Sequence, residues 1–171
     1  MKVFLIGMMG AGKSSIGKLL AKQLGQSFID LDEYIEAKEV RSIEDIFKLK
    51  GVEYFREVER KALLEVCNQR ASVVVATGGG TPCFFDNIEV MKSSGWSVYL
   101  KANNTLLLSR LKDDVQTRPL LAHQTNDEIL ETLDSLFLRR KRFYEKASMT
   151  INTEKKSIET ITHEIEAALS L

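Results

Sequence analysis

Cysteine, histidine and proline each occur only twice in 171 residues, and tryptophan once. The cysteines, Cys67 and Cys83, form no CxxC pair, and His123 and His163 stand far apart. That spacing excludes a zinc-ligand pattern and a disulfide framework, and points to a reducing cytoplasm. Long apolar runs are missing as well. Val3–Met9 and Val73–Ala76 are strand-sized, well short of the roughly 20 residues that cross a bilayer, so no membrane partner is expected. The N-terminal stretch is too short in apolar length for a cleavable leader. Neither sign of charge dominates: 24 Lys and Arg balance 24 Asp and Glu. Without a net basic face, no nucleic-acid partner is expected. What remains is a globular composition, 44% hydrophobic and 28% charged, with no repeat, linker or composition shift. One domain spanning 1–171 is expected.

Strand-like runs alternate with longer helical patterns. The strands read as Lys2–Ile6, Ser27–Asp30, Ser72–Ala76, Ser97–Lys101 and Met149–Asn152. Helical periodicity falls near Ser14–Leu24, Ser42–Lys50, Glu53–Gln69, Phe85–Ser93, Asn104–Leu111, Asn126–Tyr144 and Ser157–Leu169. Ser42-Ile43-Glu44-Asp45 has the form of a capping box. Such alternation implies crossover units and a three-layer α/β/α fold, a parallel sheet with helices on both faces. Ligands in these folds sit beyond the carboxyl ends of the strands. Lys112–Thr125 is polar, aperiodic and contains Pro119, and a loop of that length in a compact domain is usually functional.

Gly7-Met8-Met9-Gly10-Ala11-Gly12-Lys13-Ser14 matches GxxxxGK[ST], follows the first strand directly and opens an amphipathic helix. Gly10, Ala11, Gly12, Lys13, Ser14 and Ser15 are therefore candidates for binding the phosphates of a nucleoside triphosphate. Glycines let the backbone approach the anion, and the amides of the helix N-terminus offer it partial positive charge. Lys13 would reach the β- and γ-phosphates, and the Ser14 hydroxyl would hold Mg²⁺.

Asp30 and Asp32 stand two apart at the end of the second strand, on one face if the strand persists. One carboxylate would serve the metal's shell and the other an acceptor hydroxyl; alternatively Asp32 caps a helix, with Glu33 and Glu36 as solvated neighbours. On the helix after Gly51, at about 100° per residue, Val52, Phe55, Val58, Ala62, Leu63 and Val66 form an apolar arc. Glu59 falls inside it and Arg56 at its edge, a pairing that either is purely structural or presents the Arg56 fork to a ligand anion. Arg140 lies at the centre of the apolar face of Asn126–Tyr144 with no acid on its stripe, which asks for a second anion contact. The neighbouring basic residues, Arg139, Lys141 and Arg142, read as a solvated face. Gly78-Gly79-Gly80 allows either close ligand approach or a tight turn. Arg118 in the polar loop is suited to stabilising transferred charge.

Together these residues resemble the shikimate kinase family over nearly the whole chain. The matching pieces are Gly7–Ser14, Asp30-Leu31-Asp32, Phe55-Arg56-Glu57-Val58-Glu59, Gly78-Gly79-Gly80, Arg118-Pro119-Leu120-Leu121, and Arg140 four residues before Tyr144. The resemblance implies a five-stranded parallel sheet with a closing lid near 112–125, and transfer of the ATP γ-phosphate to the 3-hydroxyl of shikimate with Mg²⁺. It implies catalytic roles for Lys13, Asp32 and Arg118. Substrate contacts would come from Asp32, Arg56, Gly79 and Arg140, metal contacts from Ser14 and Asp30, and adenine contacts from Arg110 and Arg118. A monomer is expected. Two departures fall on the adenine side: no proline occurs in Glu154–Glu159, and Arg110 and Arg118 stand one position further apart than the family pattern. The rival readings are a kinase for another small acceptor and a nucleotide-dependent switch; against the switch, no NKxD-like tetrapeptide occurs.

Overall fold

A computed structural model describes residues 1–111, Leu121 and 124–170. Five parallel strands, β1 (Lys2–Ile6), β2 (Ser27–Asp30), β3 (Val73–Ala76), β4 (Trp96–Lys101) and β5 (Met149–Asn152), form one sheet in the order β2-β3-β1-β4-β5. Helices α1 (Lys13–Leu24), α2 (Leu31–Glu39), α3 (Ile43–Asn68), α4 (Asn87–Ser94), α5 (Asn104–Leu111), α6 (Asn126–Tyr144) and α7 (Ile158–Leu169) connect and cover it. A single 3₁₀ turn spans Thr81–Cys83.

The central strands are nearly all apolar because both their faces are covered. Val3, Phe4, Leu5 and Ile6 in β1, and Val73, Val74 and Val75 in β3, have no exposed surface. Burying each such side chain contributes about 1.5–3 kcal/mol. Gly17 brings α1 close to the sheet, since a Cβ there would lie 2.5 Å from the Phe28 ring. The chain reverses direction across the sheet between β1 and β3, and the loops leaving these strands open a crevice at their carboxyl ends.

Gly51, at φ +82°, interrupts α3 and divides it into the two helical stretches read from the sequence. Val52, the first residue after that break, is 55% exposed and so does not share the burial expected of the apolar arc. One helix was missed: the chain does not continue as strand past Asp30 but turns at once into α2. The Ser42 hydroxyl accepts from the Asp45 amide at 3.1 Å, and a full capping box forms at Thr125 and Glu128. No described helix is long and apolar enough to cross a membrane.

Candidate active site

The glycine loop after β1 wraps the entrance to α1. Gly10 and Gly12 take φ +78° and +88°, a region closed to most side chains. A Cβ on Gly10 would strike Leu111 Cγ at 2.9 Å, and one on Gly7 would strike the Leu100 carbonyl at 2.7 Å. Gly12 occupies the N-cap of α1, no side chain caps it, and the first turn carries no acid. The helix end thus offers its amides to an anion. Lys13 Nζ donates to the carbonyls of Gly7 (3.0 Å) and Met8 (2.9 Å), lying along the loop. Arg110 reaches over from α5, with Nη1 3.4 Å from the Ala11 carbonyl.

Opposite the loop stand the two aspartates. Because the strand ends at Asp30, they are not a period-two pair. Asp30 is the N-cap of α2, its Oδ1 accepting from the Asp32 amide at 3.1 Å. Its Oδ2 accepts from the Ser14 hydroxyl at 2.6 Å. Capping therefore falls to Asp30 and leaves the Asp32 carboxylate turned into the cleft. Burial first, then the charges of Asp30 and Glu59, push the Asp32 carboxyl up from 3.8 to about 6, with Lys13 opposing. That value suits a group that exchanges a proton near neutrality.

The third wall is the turn after β3, where bare backbone meets two guanidinium groups. A Cβ on Gly79 would lie 3.0 Å from Arg140 Nη1, and one on Gly80 2.8 Å from Arg56 Nη2. Glu59, buried to 1% exposure, accepts from Arg56 Nη1 and from the Thr81 hydroxyl, both at 2.6 Å. The Arg56 Nε is nevertheless buried without a partner among the described residues. Arg140 is 9% exposed and forms no ion pair among the described residues. One helical turn on, the wholly buried Tyr144 donates its hydroxyl to the Gly79 carbonyl at 2.6 Å and stacks on Tyr99. Burial raises the Tyr144 phenol far above its ordinary value, so it stays a donor.

The phosphate loop, the aspartates and the glycine turn line a cleft of about 810 Å³, and Arg56 and Arg140 are not among its lining residues. Its lining includes Gly10, Gly12, Lys13, Ser14, Ser15, Asp30, Asp32, Gly79 and Arg110.

The shikimate kinase family model matches residues 9–170. A shikimate kinase of Parabacteroides distasonis is 46% identical over 98% of this chain and 96% of its own length. The chain belongs to the shikimate kinase family. It is thereby an ATP-dependent kinase of the P-loop type. The crystal structure of the Bacteroides thetaiotaomicron shikimate kinase superposes with TM-score 0.94 at 36% identity, covering 100% of this chain and 99% of that one. The Acinetobacter baumannii shikimate kinase in complex with shikimate gives 0.91 at 35% identity, covering 99% and 92%.

Family members use ATP with Mg²⁺, and the oxygen donors here fit that ion. A hydroxyl and a carboxylate, Ser14 and Asp30, meet at the foot of the phosphate loop. Magnesium is commonly held by one or two such protein groups, with water and phosphate oxygens completing its shell. No group of three or more His, Cys, Asp or Glu able to hold a metal occurs among the described residues.

Of the residues singled out in the sequence, Ala11 is buried in the loop, 1% exposed. Arg56 and Arg140 stand behind the glycine turn. Arg118, with most of the 112–125 segment, lies outside the described residues. Sequence reasoning missed Thr81 and Phe84, which hold Glu59 and Arg56, and the Tyr144 bond to Gly79. From the stretch read as lying on the adenine side, Lys156 and Ile158 line the cleft with Arg110, and Glu33 and Glu36, read as solvated, line it too. The only available signal for Tyr144 was its position one turn from Arg140.

Proposed function

We propose that the kinase performs its reaction in this cleft, with the side chains assigned as follows. The reaction transfers the γ-phosphate of ATP to the 3-hydroxyl of shikimate, giving shikimate 3-phosphate and ADP, on the route to chorismate and aromatic amino acids. The amides of 10–15 cradle the nucleotide phosphates, and Lys13 swings from the loop carbonyls to the β- and γ-phosphates. Ser14 and Asp30 hold Mg²⁺, which when bound neutralises charge on the phosphate oxygens. Asp32 aligns the 3-hydroxyl and takes its proton as the oxygen–phosphorus bond forms and the bond to ADP breaks. Arg56 and Arg140 clamp the carboxylate of shikimate, with the Gly79 backbone against the ring. Arg110 covers the adenine end, and Arg118 on the closing 112–125 lid supports the transferred charge. The chain acts as one domain and as a cytoplasmic monomer, with neither nucleic acid nor membrane as partner.

One observation carries the acceptor assignment. Two guanidinium groups converge on bare glycine backbone: the Nε of Arg56 is buried with no partner among the described residues, and Arg140 forms no ion pair among them. A buried charge without a counter-ion, as at Arg140, costs several kcal/mol, on the order of what an incoming carboxylate restores. A coupled ADP-release assay offering shikimate, gluconate and nucleoside monophosphates in parallel tests the reading. Turnover is expected with shikimate alone; comparable release with another acceptor refutes it.

A further inference from the structure

The 3₁₀ turn Thr81–Cys83 ends at Phe84, whose side chain is aromatic yet 36% exposed, and Phe85 follows at 61% exposure and φ +51°. A bulky residue in the left-handed region is strained. The next two residues are tied down: Asp86 pairs with Arg60 at 2.5 Å, and Asn87 accepts from Arg60 and donates to the Thr81 carbonyl. This bracing fixes Phe84 over Arg56. The Arg56 Cζ stands 4.0 Å from the centre of the Phe84 ring and 5.0 Å from that of Phe55. Phe55 is itself packed on Phe47 at 4.5 Å.

We propose that Phe84 is a positioning residue for the acceptor: its ring stacks on the Arg56 guanidinium and fixes the plane in which the remaining donors meet a carboxylate. The inference rests on the assignment of Arg56 to the acceptor carboxylate. Glu59 anchors only Nη1, and one anchored nitrogen leaves the group free to rotate. A ring face adds the second constraint through its quadrupole and removes water from one side. With the plane set, Nη2 and Nη1 lie against the glycine turn, 2.8 and 3.0 Å from where a Cβ on Gly80 would sit. A planar fork matches a carboxylate bidentately only when held in that orientation. An aromatic side chain more than one-third exposed contributes little to the core, and what this one touches is the Arg56 guanidinium.

The experiment is steady-state kinetics on Phe84→Leu, Phe84→Tyr, Arg56→Gln and the Phe84→Leu/Arg56→Gln double variant. The KM for shikimate should rise roughly fivefold in Phe84→Leu, the size of a lost cation–π contact, with the KM for ATP unchanged. Phe84→Tyr, which keeps the ring, should restore it. In the Arg56→Gln background Phe84→Leu should add nothing. An unchanged shikimate KM in Phe84→Leu overturns the proposal. So does an equal rise in the Arg56→Gln background, which would make Phe84 a direct wall of the site, or a matching rise in the KM for ATP, which would mean a general disturbance. If Arg56→Gln itself leaves the shikimate KM unchanged, it is the acceptor assignment that fails.

Discussion

Replacing Asp32 with Asn should weaken catalysis and strengthen the fold at the same time. The carboxyl titrates near 6 in the folded chain against 3.8 in its absence, a gap whose ceiling is about 3 kcal/mol at about 1.36 kcal/mol per unit. Asp32 is only half-buried, and solvent screening reduces this to about 1–2 kcal/mol. The sign follows from proton linkage. The folded state binds this proton more tightly than the unfolded chain, so ionisation works against folding. That cost is absent below about pH 3.8, grows between there and about 6, and is complete above. In nucleotide-free, magnesium-free protein, Asp32→Asn should therefore melt about 3–6 °C higher than wild type at pH 7.5. The difference should shrink toward zero as the pH falls to about 4. Loss of the proton acceptor should lower kcat by about 10²–10³. Melting scans across pH and the coupled assay provide both readouts. A variant that is no more stable at pH 7.5, or equally favoured at pH 4 and 7.5, refutes the electrostatic reasoning; near-normal kcat makes Asp32 a positioning residue only.

Two further outcomes are expected. Arg56→Lys and Arg140→Lys should each raise the KM for shikimate about tenfold or more, because an ammonium cannot reproduce a planar fork; unchanged KM in both removes the clamp. Gly10→Ala forces a Cβ to within 2.9 Å of Leu111 at φ +78°. It should cost about 1–3 kcal/mol of stability and raise the KM for ATP, measured by denaturant melts and kinetics.

Much of this arrangement is legible in the chain because it rests on local rules. All five strands lie where the apolar runs end against glycine or polar residues, with shifts of one residue at the starts of β3 and β4. Glu59 and Arg140 betray themselves as charges on apolar faces, and both are buried. Helix α2 was hidden because nine residues bury only Leu31 and Ile35, too few to display a period. Val52 was misjudged because it opens the stretch directly after Gly51, and a wheel tells which face a residue shares but not whether another element covers it at the helix end. Thr81, Phe84 and Tyr144 were invisible for another reason: each acts on residues distant in sequence, and pairwise contact across a sheet edge leaves no periodic trace. Asp32 was found as the free carboxylate; only the alternative that made it the helix cap fails, since the strand ends at Asp30 and Asp30 caps the helix.

In the proposed mechanism Arg56 and Arg140, which converge on the glycine turn, recognise the acceptor through its negative charge. The most direct test compares kcat/KM for shikimate with that for its methyl ester, which keeps every hydroxyl and removes the charge. The account predicts a loss of at least about 100-fold for the ester in wild type, on the order of one charged contact at about 3 kcal/mol, and a much smaller loss in Arg140→Gln. Equal phosphorylation of acid and ester by the wild-type kinase would contradict it.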